Sequence, residues 1–129
     1  MDAQTLVDER GELWLTLAPL WLEREPRETD YARMVDVIQR YDLTLTELEW
    51  VFRLELAPVM VRHQMSVAGE WRAFDDYQLM GQLVAHNLRL KGWRRKMWLL
   101  FSGMTTMMTR HRWNDLMERV MVARGELSR

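Results

Sequence analysis

The sequence predicts an all-α fold, a compact bundle of five to six helices, and three observations carry that prediction. Apolar residues recur at helical spacing along almost the whole chain, and no segment alternates convincingly at the two-residue period of a strand. Residues that start and stop helices fall between the periodic runs. The 129 residues include no cysteine, so disulfides and thiolate-bound metal are excluded and packing must hold the chain together. At this length about two thirds of the unfolded surface can be buried, which is enough without a staple.

The first helix is predicted from about Asp8 to Glu23, with Leu13, Trp14, Leu17, Leu20 and Trp21 on one stripe. Pro19 lacks the N–H that would reach the carbonyl of Leu15, so a kink or break is expected there, and Pro26 ends the run. A second helix is expected from a cap at Thr29 or Asp30 to Arg40, burying Tyr31, Met34, Val35 and Ile38. Thr46 and Glu49 have capping-box spacing for a third helix. That helix carries Leu48, Val51, Phe52, Leu56 and Val59 on one side and Trp50 and Leu54 on the other, so it reads as central, with a second kink at Pro58.

His63 to Phe74 reads as the longest connection, with Asp75 capping a helix from Asp76 to about Leu90 that buries Leu79, Leu83, Val84 and Leu88. Gly92 fits a C-cap. A fifth helix, Trp93 to Phe101, starts on basic residues against the helix dipole, which suggests either two helices joined through Gly92 or a partner for the charges. Gly103 is a further candidate break. The last helix, Arg112 to Arg124, carries Trp113, Leu116, Met117, Val120 and Met121 on its stripe and closes at Gly125. Leu-Ala-Pro occurs at 17–19 and again at 56–58, too short a repeat to indicate duplication. No interdomain linker interrupts residues 1–129, which read as one domain.

Charge is divided by sign. Residues 1–65 hold 7 arginines and 13 acids, a net of −6, whereas residues 66–129 hold 11 basic residues and 6 acids, a net of +5. Such a molecule has one surface for a basic partner and another for an acidic one. The acidic start lacks the pattern of a secretion signal. The longest apolar stretch, Met97 to Met108, is too short for a bilayer, which needs about 20 residues. No membrane contact and a cytoplasmic location are expected. Seven Trp and eleven Met suit either an irregular core or a contact surface.

No nucleophile motif, phosphate-binding glycine loop or metal-ligand spacing is present, so the chain is read as a non-enzyme without cofactor or metal. His86, between Leu83 and Leu88, reads as a partly buried, hydrogen-bonded histidine. Glu55 shares a face with apolar residues and reads as the carboxylate of a structural ion pair with an arginine. These two are the only catalytic candidates. Glu49 is assigned to the cap.

Several elements resemble an uncharacterised family of small bacterial helical proteins, known only as a domain of unknown function. They are Leu20-Trp21-Leu22 with Glu25, Asp30-Tyr31, Leu45, Glu47-Leu48-Glu49, Glu55-Leu56-Ala57-Pro58-Val59 and Gly69-Glu70-Trp71 with Phe74-Asp75. The resemblance covers residues 13–84. It implies a bacterial source and an all-helical fold, and no activity. Within it, Trp71 and Phe74 are expected to fold inward while Glu70 and Asp75 cap helix ends.

The expected function is protein binding without catalysis, as in a small immunity-type neutraliser of a toxin or effector, or a dedicated adaptor. Glu23, Glu25, Glu28, Asp30 and Asp36 would form an acidic rim, with Trp21 or Trp50 as aromatic anchor. The same features would serve a homo-oligomer. The alternative is nucleic-acid binding, less favoured because the whole chain is slightly acidic. It would use Lys91, Arg94, Arg95, Lys96 and Trp98 together with Arg110 and Arg112. A simpler use of the basic helix is to pack beside the acidic N-terminal helices.

Overall fold

A computed structural model describes residues 2–22, 24–66 and 76–126. The expected roles of Glu23, of the His63 side chain and of Gly69, Glu70, Trp71, Phe74 and Asp75 lie outside the described residues. Among those described, every regular element is helical: α1 (Ala3–Leu17), α2 (Glu28–Arg40), α3 (Leu45–Trp50), α4 (Ala57–Ser66), α5 (Asp76–Leu88), α6 (Gly92–Thr105) and α7 (Arg110–Ala123). A π-helical stretch, Val51–Leu56, joins α3 to α4, so residues 45–66 form one continuous rod.

Helix starts follow local chemistry, displaced by a residue or two from the sequence reading. Asp2 caps α1 by accepting from the Thr5 N–H at 2.8 Å. The first helix ends at Leu17 and tightens into a 3₁₀ turn over Ala18–Trp21, with Pro19 in its first positions. The break expected at Pro19 is therefore a change of helix type. In α2 the N-cap is Arg27, and Asp30 is the third helical residue, reaching back to the Arg27 N–H at 2.8 Å. The capping box of α3 is Thr44 with Glu47. It lies two residues before the expected Thr46 and Glu49, and that displacement frees Glu49 for other work.

Helix α4 continues through Ser66, so residues 63–66 are helical and not part of a connection. Gly92 takes φ +56°, the left-handed region, and opens α6 four residues after α5 ends. Two separate helices meet there. Gly103 lies inside α6 without breaking it, and Gly125 at φ +76° closes α7 as expected.

The core forms around the rod. Phe52 stacks flat on Trp113 at 4.5 Å between ring centroids and meets Trp21 at 5.6 Å. Leu48, Val51, Phe52, Leu54, Leu56 and Val59 are all buried, with Leu13, Trp14, Leu17 and Leu20 from the N-terminal segment and Leu116 and Val120 from α7. Both faces of the rod are thus covered, and it is the central element. Val37 joins the buried face of α2, while Val35 is half-buried. Leu88, expected in the core, is exposed.

Candidate functional site

Two glutamates of the rod are structural anchors. Glu55 accepts the Trp14 indole N–H at 2.9 Å and the Arg10 guanidinium at 3.2 Å. Glu49 accepts the Trp113 indole N–H at 3.0 Å and pairs with Arg110 at 2.9 Å and Arg53 at 3.6 Å. Each carboxylate satisfies the polar edge of a buried tryptophan and takes charge from an arginine of the same helix. The rod thereby fixes α1 on one side and α7 on the other.

His86 is also committed. Its Nε2 lies 2.8 Å from the Leu54 carbonyl, and a carbonyl only accepts, so Nε2 carries the proton. Pro58, four residues beyond Leu54, has no N–H to offer that oxygen. Beside it, Asn87 donates to the carbonyls of Leu83 at 2.8 Å and Glu55 at 3.3 Å. Burial holds the His86 pKa below its ordinary value despite the backbone bond, so the ring is neutral at pH 7. Both catalytic candidates of the sequence are occupied in holding the fold.

The acids expected to form a rim are mostly engaged within the molecule. Glu25 reaches Arg112 at 3.3 Å and lies 3.9 Å from His111, Glu28 pairs with Arg119, and Asp30 pairs with Arg24 at 3.0 Å. Asp36 faces Arg40 at 4.0 Å. Trp21 is 1% exposed, so it cannot anchor a partner. Trp50 is half-buried beneath the Arg53 guanidinium.

The expected nucleic-acid residues divide as well. Arg112 is buried and donates to the carbonyls of Leu20 at 2.9 Å and Leu22 at 2.7 Å, tying α7 to the 3₁₀ turn. Arg110 belongs to the Glu49 anchor. Trp98 is half-buried against Arg62 and His86. Lys91, Arg94, Arg95 and Lys96 alone stay exposed, and no described carboxylate forms an ion pair with them.

Helix α6 is turned inside out. It packs on the π stretch and α4 rather than on the acidic N-terminal helices, and the one side chain it fully buries, Ser102, is polar, with Met97 and Trp98 half-buried. Ser102 Oγ accepts from Arg53 Nε at 3.1 Å and donates to the Leu99 carbonyl, and buried Thr106 donates to the Ser102 carbonyl. The apolar side faces outward. Trp93, Met97, Leu100 and Met104 recur at i, i+4, i+7 and i+11, one stripe of a helix. Trp93 is 66% exposed, Leu100 78% and Met104 72%, with Phe101, Met107 and Met108 continuing the surface. At helical spacing Arg94 and Lys96 border the stripe on its two sides.

Behind α6 lies a cleft of about 360 Å³ between α4, α5 and α6. Val59, Met97 and Trp98 form apolar walls, His86 lies among them, and Arg62, Arg89 and Arg94 bring three cations to the opening. Among the described residues no carboxylate lines it. Burial, and then the charge of Arg89, pulls the Arg62 pKa down. The sequence carries little signal for this cleft, because its arginines are far apart along the chain, on α4, in the turn after α5 and on α6.

A family model described as Domain of unknown function (DUF7079) matches residues 8–119. The chain belongs to this family. The DUF7079 match reaches past the sequence resemblance over 13–84 and takes in the cleft, α6 and most of α7. No curated protein and no solved structure matches the chain.

Proposed function

We propose that this DUF7079 chain is a non-catalytic protein-binding domain whose contact surface is the outward face of α6. The observation that carries this reading is the inverted helix, which buries Ser102 against its own rod and leaves Trp93, Leu100, Phe101, Met104, Met107 and Met108 exposed. A contiguous exposed apolar patch marks an interaction surface. Its shape suits a helix, because a stripe at the 3.6-residue period, about 17 Å from Trp93 to Met104, offers ridges and grooves to a second one. Methionines lend such a surface adaptability. Lys91, Arg94, Arg95 and Lys96 give the partner its sign: an amphipathic helix whose apolar stripe is bordered by acids. A dedicated adaptor fits this description, as does a neutraliser of an effector, with the contact moved from the acidic rim to α6.

Capture from the native host, with Leu100→Glu and Met104→Glu beside Glu25→Lys and Glu28→Lys, tests the assignment. The expected result is one stoichiometric partner that survives the Glu25 and Glu28 changes and is lost on the α6 changes, and whose binding segment is an acidic amphipathic helix. Retention by the α6 variants overturns it. So does a self-association that those variants abolish, or nucleic acid released by salt in place of protein.

A further inference from the structure

We propose that the cleft between α4, α5 and α6 binds a small organic phosphate. Its phosphate would be held by Arg62, Arg89 and Arg94 and its carbon body by Val59, Met97 and Trp98. The inference stands apart from the α6 docking face, since Arg62, Arg89, Val59 and Trp98 play no part there and the two surfaces share only Arg94 and Met97.

Three features lead to this ligand. The first is charge: Arg62 of α4, Arg89 in the turn after α5 and Arg94 of α6 line one opening, and no described carboxylate pairs with any of them. Each guanidinium presents a planar fork of donors suited to phosphate oxygens. A monoanion would leave two of the three charges unneutralised, whereas a phosphate dianion leaves one.

The second is preorganisation. Arg62 Nε donates to the Pro58 carbonyl at 3.0 Å and its guanidinium lies 5.5 Å from the Trp98 ring centroid. One of the three cations is therefore held in place before any ligand arrives. His86 is fixed in the cleft by its bond to Leu54 and is neutral, so it adds no further charge.

The third is size and lining. A cavity of about 360 Å³ lies in the range of small-molecule sites, about 300–1,000 Å³, which combine apolar walls with a few placed polar groups. Val59, Ala85, Met97 and Trp98 supply the walls. An inorganic ion would leave them empty, so an organic body attached to the phosphate is favoured.

The test uses the full chain and follows the Trp98 indole resonance during titration with phenyl phosphate, with inorganic phosphate and with chloride at fixed ionic strength. Phenyl phosphate is expected to saturate the shift at lower concentration than inorganic phosphate, and chloride to leave it unmoved. Arg89 and Arg94 are exposed, so Arg89→Gln and Arg94→Gln should fold normally and each weaken phenyl phosphate about tenfold or more, the loss of a charge-assisted hydrogen bond. Leu100→Glu should bind phenyl phosphate as the parent does, which separates failure of this site from failure of the docking face. Equal responses to all three anions, or unchanged binding in both glutamine variants, would overturn the proposal. A response confined to vesicles containing phosphatidic acid would also overturn it, in favour of a lipid surface.

Discussion

His86 donates from Nε2 to the carbonyl of Leu54 at 2.8 Å, across 32 residues of sequence, and so occupies the oxygen that Pro58 cannot reach. The rod tolerates a proline because a side chain from α5 completes its backbone bonding. Residues 51–56 relax into π geometry just before that proline, as helices do where their hydrogen-bond ladder is interrupted.

This bond makes stability depend on pH. The folded-state pKa of His86 lies below the ordinary value because of burial, so between those two pKa values the unfolded chain binds more protons. Stability from this group is complete above about pH 6.5 and is lost as pH falls through the folded value. Gln at position 86 keeps a donor and does not titrate. The melting temperature of the parent should therefore fall relative to His86→Gln between pH 7 and 5; parallel curves would refute the assignment.

A double-mutant cycle tests the role of Pro58. His86→Leu leaves the Leu54 carbonyl buried without its donor and should cost about 1–3 kcal/mol in denaturant unfolding. Pro58→Ala returns a backbone N–H, so in the His86→Leu background it should recover about 1 kcal/mol. Additive effects would mean that the two residues do not serve the same oxygen.

The two glutamate anchors predict a graded response. Glu49→Gln and Glu55→Gln keep an acceptor for the indole N–H of Trp113 or Trp14 and lose only the ionic part. Alanine at either position strands a buried indole N–H as well. Chemical denaturation should place each Ala variant about 1–3 kcal/mol below the parent and each Gln variant between them. Equal losses for Gln and Ala would assign the whole effect to the arginines.

Trp14 and Trp113 are fully buried, so replacing either with Ala should cost about 3–5 kcal/mol. Trp93→Ala, on the outward face of α6, should change stability by less than about 0.5 kcal/mol. Unfolding midpoints of the three variants would separate core from contact surface.

Much of the helical order was legible in the sequence, because the stripes of α1, α2, the rod and α7 point inward and burial follows period. Glu55 and His86 were legible as structural for a similar reason, being polar residues on apolar faces. Helix α6 was not. Its stripe has the same period as the others, and period alone does not say which side faces the core; that was decided by Ser102 and Thr106, which take up Arg53 and the local carbonyls. The Glu49 anchor was hidden because two overlapping boxes, Thr44 with Glu47 and Thr46 with Glu49, compete within three residues. Trp21 keeps the stripe position that its spacing predicts and fills the gap beside Phe52, so the anchor role fails for it, and Arg112, expected at the surface, satisfies the carbonyls of Leu20 and Leu22.

The stacking of Phe52 on Trp113 has a consequence for synthesis. About sixty residues separate the two rings along the chain, and translation adds roughly 5–20 residues per second. For several seconds a nascent chain presents Phe52 without its lid, and Leu20 and Leu22 without the guanidinium that will seal their carbonyls. Completion of the core waits for the last helix to emerge. Chains truncated before Trp113 should therefore be clients of chaperones and proteases rather than smaller versions of the same fold.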